Sequence, residues 1–308
     1  MLKYYKRLGK GNGFTLIELL VVIAIIAMLI AILVPGMRRV KMAAKKIEQK
    51  SMFRNIEIGL ALFLDEFDNY PDSKVVTDTD ASSKRVCGAQ HLAETMLGRD
   101  EHGFDPKSRW HENGEPDDIY ASDNTTPEGK TSLARRQEPY IELRKTGAFL
   151  LDQIYSVADL AAVSGMITGE QPFGTGGTKR APIIADVFGH SISVSGSDIR
   201  RAGTPIVYFK ADTNSRMYAK VPKAGARTTN WTYDWADNAD IFDLPPLKQS
   251  TKYPDHLYKG TDGILKFYEN ITNPNVSYDK PYNSTSFILI SAGWDGVFGT
   301  KDDVTNFD

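Results

Sequence analysis

The chain has 308 residues, with 37 Lys plus Arg against 39 Asp plus Glu and a formal net charge of -2. Its 41% hydrophobic and 25% charged residues are ordinary globular values, which excludes wholesale disorder, a collagen-like chain and a polytopic membrane protein. A near-neutral balance gives no reason to expect a nucleic-acid partner, and the single cysteine, Cys87, excludes an intrachain disulfide and a Cys-based zinc site.

The first thirteen residues hold four basic side chains (Lys3, Lys6, Arg7, Lys10) and no acid. From Phe14 to Val34 only Thr15 and Glu18 are not apolar. As a helix this run spans roughly 30 Å, the thickness of a bilayer's hydrocarbon core. It is too long for a signal-peptide apolar region, and the chain after Pro35 is basic and helical in pattern rather than a cleavage site. A plain N-terminal anchor is the simplest reading. Against it stand Gly13, at the border of leader and apolar run, and Glu18, a lone carboxylate five positions into lipid. A charge at the bilayer centre costs roughly 2.5–3.5 kcal/mol and needs a partner. A cut between Gly13 and Phe14 would create an α-amino group one helical turn away, at i and i+4.

Gly13-Phe14-Thr15-Leu16-Ile17-Glu18, followed by an unbroken apolar helix, closely resembles the prepilin cleavage and methylation motif of type IV pilins and type II secretion pseudopilins. The resemblance implies that prepilin peptidase, a membrane aspartic peptidase, cuts after Gly13 and methylates Phe14. It implies too that Glu18 guides insertion of the subunit into a filament.

Past Pro35 and Gly36, apolar Ile47, Ile56, Leu60, Phe63, Leu64 and Phe67 recur at helical spacings, so an amphipathic helix is expected to run on to the stop at Asn69-Tyr70-Pro71-Asp72. Pro35 is expected to kink or loosen it. Arg38 to Arg54 carries seven basic residues against one acid, Glu48, which by the positive-inside rule alone would face the cytoplasm. The prepilin motif requires the leader there instead. The basic stretch is then assigned to lipid headgroups or to acidic faces of neighbouring subunits, a solvated helix face being the plain alternative.

From Asp72 to about Lys130 the chain is polar and turn-rich, broken by a short helix at AQHLAETMLG. A second helical stretch is expected within Pro139 to Val163. Strands are expected at Ile206–Lys210, Met217–Val221, Ile264–Tyr268 and Ser286–Ile290, from their β-branched and aromatic content.

Near the C-terminus, Asp295, Asp302 and Asp303 surround Gly296 and Gly299. Calcium takes six to eight oxygens, and this loop offers carboxylates and turn carbonyls. Asp-Gly is equally a hairpin signal. On spacing alone the two readings are even. The S-x-G-x-D-G segment from Ser291, with an aspartate pair seven and eight residues after Asp295, is similar to the terminal loop of major type II secretion pseudopilins. That resemblance implies calcium bound by Asp295, Asp302 and Asp303, with carbonyls of residues such as Ser291, Val297 or Thr300. It covers residues 11–71 and 286–308 and leaves out the middle. The tip pseudopilin lacks the acid that Glu18 supplies, and type IV pilins usually close their C-terminal region with a disulfide that one cysteine cannot make.

The five histidines are scattered, and Gly174–Gly177 lacks the lysine of a phosphate loop. Trp231, Tyr233 and Trp235 read as packing. No reaction is legible, and no enzyme is expected. The expected fold is α+β and pilin-like: a long N-terminal helix, membrane-spanning in its first half, on a mainly antiparallel sheet with large insertions. The expected segments are a leader (1–13), a transmembrane half-helix (14–34), an amphipathic half-helix (35–70), a variable insertion (71–203) and a C-terminal sheet with the calcium-type loop (204–308). The resemblance implies a structural subunit of a type II secretion-like pseudopilus or type IV pilus-like filament. Its partners would be copies of itself, other pseudopilins and an inner-membrane assembly platform. It would cross the bacterial inner membrane once, through residues 14–34, with its globular part in the periplasm or extracytoplasmic space. The rival reading is an exported binding protein or enzyme on a pilin stem, with its function in the 71–203 insertion.

Overall fold

The computed structural model describes residues 14–77, 85–107, 127–142, 147–169, 171–172, 178–195, 198–215, 231–248, 251–276 and 280–307. Gly13 with the rest of the leader, the strand expected at Met217–Val221 and the run Gly174–Gly177 lie outside them. The chain divides into two compact units, Met1–Ala44 and Lys45–Asp308.

Helix α1 (Leu16–Phe67) begins in the first unit and continues into the second. Every residue from Phe14 to Val34 is exposed, Leu16 by 81%. An apolar stretch of this length, exposed throughout, is long and apolar enough to cross a membrane. Pro35 does not end the helix, which is assigned without a break across residues 34–36.

In the second unit α1 buries Met52, Phe53, Ile56, Leu60 and Phe63. Ile47, expected on this face, is instead 71% exposed. At about 3.6 residues per turn, the nine positions from Ile47 to Ile56 turn the side chain to the opposite side of the helix. Spacings that are multiples of three and four do not compensate for accumulated rotation.

The remaining elements, in order, are β1 (Val76–Thr77), β2 (Arg85–Val86), α2 (Gly88–Leu97), α3 (Pro127–Arg135), β3 (Gly147–Phe149), α4 (Val157–Leu160), β4 (Gln171–Pro172) and β5 (Thr178–Lys179). Then follow β6 (Ile183–Ala185), β7 (His190–Ser195), β8 (Asp198–Ala202), β9 (Val207–Lys210), α5 (Ala239–Asp243), α6 (Gly260–Ile271), β10 (Phe287–Ser291) and β11 (Val304–Thr305). All strand pairs among the described residues are antiparallel; the central sheet has the order β11-β10-β9, with Ile288 opposite Phe209 and Ile290 opposite both Val207 and Thr305. The expected α+β architecture is therefore present.

Strand β10 reads FILIS and is buried at every position. The two-residue period splits its side chains between two layers. Phe287 and Leu289 join Tyr208, Leu60, Ile56 and Phe53 beneath α1, whereas Ile288 and Ile290 join Phe209, Phe242 and Phe267 on the other side. The sheet is thus covered on both faces. Helix α2 fills the α1 side with Leu92, Ala93, Met96 and Leu97. Its buried Gln90 donates to the carbonyls of Ile167, at 2.7 Å, and Ala181, at 3.1 Å.

One expectation fails and another holds in part. Ile264–Tyr268 belongs to helix α6, not a strand, because Ile264, Phe267, Tyr268 and Ile271 share one helical face that lies on the core. Phe267 meets Phe209 at 4.8 Å between ring centres. Within 139–163 the expected helical stretch is shortened and broken: strand β3 comes first, and the helical residues are a 3-10 turn at Leu151–Gln153, the short helix α4 and a 3-10 turn at Ala161–Val163; the edge of β3 pairs with β6, a partner distant in sequence. Helix α3 and its surroundings, read as polar turns, are instead organised by ion pairs: Arg135 to Asp105 at 2.9 Å and Arg136 to Asp100 at 2.6 Å, beside Arg99 to Glu94 at 2.7 Å. Trp231, Tyr233 and Trp235 pack on the core as expected.

Leu60 is fully buried under the sheet, so Leu60→Ala should destabilise the domain by about 2–5 kcal/mol. Ile47→Ala should stay within about 0.5 kcal/mol. Urea unfolding of the two variants checks this, and similar losses would contradict the assignment of faces.

Candidate functional site

The N-terminal motif is built as a helix start. Thr15 stands before α1, and its backbone N–H and hydroxyl donate to Glu18 Oε2 at 2.9 and 2.7 Å, while the Glu18 N–H donates to Thr15 Oγ1 at 3.3 Å. This reciprocal T-x-x-E capping box satisfies amide groups that a helix terminus leaves open. The sequence assigned Glu18 to a freed amine and to filament insertion but left Thr15 without a role, although T-x-x-E before an apolar run is a capping signal. Phe14, first residue after the motif's glycine, is exposed.

At the other end, Gly293, Gly296 and Gly299 all have positive φ, at 69°, 70° and 91°. Ordinary side chains resist that conformation, and it turns successive backbone N–H groups inward. Asp302 Oδ2 accepts from the Asp295 N–H at 2.9 Å and Asp302 Oδ1 from the Thr300 hydroxyl at 2.5 Å. Asp295 Oδ1 accepts from the Val297 N–H at 2.9 Å. Asp303 accepts from the N–H groups of Gly299 and Thr300 at 2.8 and 3.3 Å. The three aspartates therefore lie in one loop, but in two roles: Asp295 and Asp302 face each other, and Asp303 braces the Gly299–Thr300 turn. Among the described residues no three His, Cys, Asp or Glu side chains converge on one point. Burial, and then the neighbouring Asp302, push the Asp295 carboxyl up to about 6. Burial pushes Asp303 well up, against the pull of its two N–H donors.

The loop is fastened by residues that no motif pointed to. The buried His256 accepts the Phe298 N–H on Nδ1 at 3.1 Å, and the Leu257 N–H donates to the Phe298 carbonyl at 2.9 Å. Burial holds the His256 ring neutral, its pKa lowered to about 3. Asn306 binds β10 through Leu289 and reaches α1 through Glu57 at 3.1 Å. Asp186, just after β6, is buried and accepts from Ser291 Oγ at 2.8 Å and from the N–H groups of Phe188 and Thr204 at 3.1 and 3.2 Å. A Cβ at Gly203 would collide with the Asp186 carbonyl, so only glycine lets the chain come this close. The next residue, Val187, donates its N–H to the buried Gln49 of α1 at 2.9 Å. One short segment of the insertion thus touches α1, the β9 approach and the entry to the last loop.

Residues 9–34 match the family model described as the prokaryotic N-terminal methylation motif. Neither the curated proteins nor the solved structures give a match to the chain. The matched motif and the long apolar helix indicate a type IV pilin-like or pseudopilin chain, of the kind processed by prepilin peptidase and held in the membrane by its N-terminal helix.

Burial pushes the Asp186 carboxyl up to about 7 in spite of its hydrogen bonds to Ser291, Phe188 and Thr204, and burial does the same to Asp237. An unfolded aspartate titrates near about 3.9, so the proton held by the folded chain stabilises it at acid pH. That contribution is lost as pH rises through about 7. Thermal midpoints should fall between about pH 5 and about pH 8, and Asp186→Asn should shrink the fall, leaving the parts due to Asp237, Asp295 and Asp303. An unchanged pH profile in Asp186→Asn would show that this carboxyl stays ionised throughout.

Proposed function

We propose that the chain is a non-catalytic structural subunit of a type II secretion-like pseudopilus or a related type IV pilus-like filament. Prepilin peptidase cuts after Gly13 and methylates Phe14. Residues 14–34 cross the bacterial inner membrane, with the leader in the cytoplasm and residues from Lys45 onward outside it. Copies of the chain and other pseudopilins are assembled by an inner-membrane platform. The observation that carries this reading is the match over residues 9–34, within which α1 starts and its residues from Leu16 to Val34 are all exposed. The Arg–carboxylate pairs of the insertion support it as well, because Glu94, Asp100 and Asp105 are used in holding the domain together.

Glu18 has two partners available in this reading. In the leader-bearing chain Thr15 holds it. After the cut, the Phe14 amine of the same or a neighbouring chain becomes a cation at helical spacing, and a carboxylate in lipid favours that charge. Both wild type and Glu18→Ala should therefore be recovered from membranes with methylated Phe14 at the N-terminus, as read by intact mass. Only wild type should crosslink into filaments. A variant that assembles normally, or a wild-type chain still carrying residues 1–13, would count against the proposal.

The last loop is the proposed calcium site. Its donor set consists of hard oxygens, and the mutual repulsion of Asp295 and Asp302 is what a bound dication relieves. Asp295 and Asp302 would supply carboxylate oxygens, Asp303 would hold the turn in shape, and nearby carbonyls would complete the shell. Calcium at one hundred times its dissociation constant would stabilise the protein by about 2.7 kcal/mol. Asp295→Ala and Asp303→Ala should remove that gain. Thermal unfolding of the whole chain in detergent, with calcium and with chelator, measures it; equal midpoints would leave the loop as an ordinary turn.

A further inference from the structure

Just past its apolar run, α1 carries Arg38, Arg39 and Lys41, four, five and seven positions after Val34 and all exposed. Among the described residues none of the three has a hydrogen bond or an ion pair. The sequence has no acid between Glu18 and Glu48, and Glu48 is taken by Lys45 at 2.8 Å. At 3.6 residues per turn the three cations fall within an arc of about 160°, with Met42 among them and Met37, Val40, Ala43 and Ala44 on the opposite side. Met37 and Val40 are themselves exposed.

Helix geometry sets the depth of these charges. The Cα atoms lie about 6–11 Å beyond that of Val34 along the axis. Side chains on a helix lean toward its N-terminus, which here is back toward the apolar run. The stems of Arg and Lys can lie along apolar surface while their charged ends stay in polar surroundings. The headgroup layer extends about 5–7 Å beyond the hydrocarbon on each side of a bilayer. With residues 14–34 across the membrane, the reading on which this inference rests, the three charged ends fall in that layer. Phosphate oxygens there satisfy guanidinium and ammonium groups that have no carboxylate partner. Met37 and Val40, on the other side of the helix, suit the same boundary between acyl chains and headgroups. An acidic protein face would also supply charge, but only the headgroup layer is brought to this depth by the span itself.

We propose that Arg38, Arg39 and Lys41 form a binding surface for anionic phospholipid headgroups, in the leaflet away from the cytoplasm.

The test is lipid selectivity of the full chain in phosphatidylcholine vesicles, read from spin-labelled phosphatidylglycerol against spin-labelled phosphatidylcholine. The leader's cations attract anionic lipid too, so Lys3, Lys6, Arg7 and Lys10 are replaced by Gln throughout. The chain should prefer phosphatidylglycerol by about fivefold or more, the gain expected from even one cation at an anionic surface. Raising salt from about 0.1 M to about 1 M shortens the screening length from about 10 Å to about 3 Å and should cut the preference at least by half. Combined Arg38→Gln, Arg39→Gln and Lys41→Gln, at exposed positions where glutamine is a good helix former, should bring the preference below about twofold. Arg38→Lys with Arg39→Lys should keep it, because the charge is retained. No preference in the starting chain, or an unchanged one in the triple Gln variant, would overturn the proposal. If that variant kept its preference but lost crosslinking between copies, the cations would belong to an acidic protein face instead. A chain released from the vesicles by alkaline wash would overturn the membrane-spanning reading together with this one, whereas a chain that resists the wash and shows no preference overturns the headgroup surface alone.

Discussion

A carboxylate buried without a bonded cation has to be surrounded by hydrogen-bond donors, and Asp186 meets that constraint by drawing three segments to one point. Its acceptors are filled by Phe188, by Thr204 where the chain returns from the insertion, and by Ser291 at the mouth of the last loop. The adjoining Val187 N–H goes to Gln49 of α1. Removing any of these donors would leave a polar group unsatisfied in a low-dielectric interior, where such a group is costly. The arrangement therefore fixes how the insertion, the central sheet and the terminal loop meet. The insertion is built into the same core as the sheet: Ile184 and Phe188 lie under α1, and Ile183 and Ala185 lie on the opposite side.

The same preference for carboxylates satisfied by backbone and hydroxyl donors recurs at both ends of the chain. Glu18 is held by Thr15, Asp303 by Gly299 and Thr300, and Asp302 by Asp295 and Thr300. Charged partners are used instead around α2: burial would raise Glu94, but Arg99 and His91 outweigh it and bring it down to about 2. The two solutions leave different residues open to ligands. A carboxylate paired with arginine is closed, whereas one held by turn amides keeps lone pairs free.

Helix α1 serves two solvents with one secondary structure. Up to Val34 its side chains are apolar except for Glu18 and are all exposed, whereas further on Met52, Phe53, Ile56 and Leu60 form a buried face that meets Tyr208, Phe287 and Leu289, with Ile58 and Leu62 exposed beside it. A helix satisfies its own backbone in lipid and in water alike, which makes such a change of environment possible within one element. Pro35 falls where the apolar run gives way to the basic one, and the helix is assigned through it.

The sequence by itself determined what local chemistry determines. The apolar run of bilayer length, the Gly13–Glu18 motif, helix α2, strands β9 and β10 and the turn-forming glycines of the last loop were all legible, because each is specified within a few consecutive residues. Tertiary structure decided the rest. Ile264–Tyr268 has strand composition but became helix α6, since one of its faces could cover Phe209. Ile47 fits an apolar spacing but faces away from the core. Asp186, His256 and Asn306 carry no local signal, because their partners lie 105, 42 and 249 residues away, at Ser291, Phe298 and Glu57. Periodicity reports which residues share a face, and only packing against distant parts of the chain decides which face is buried and which polar groups find partners.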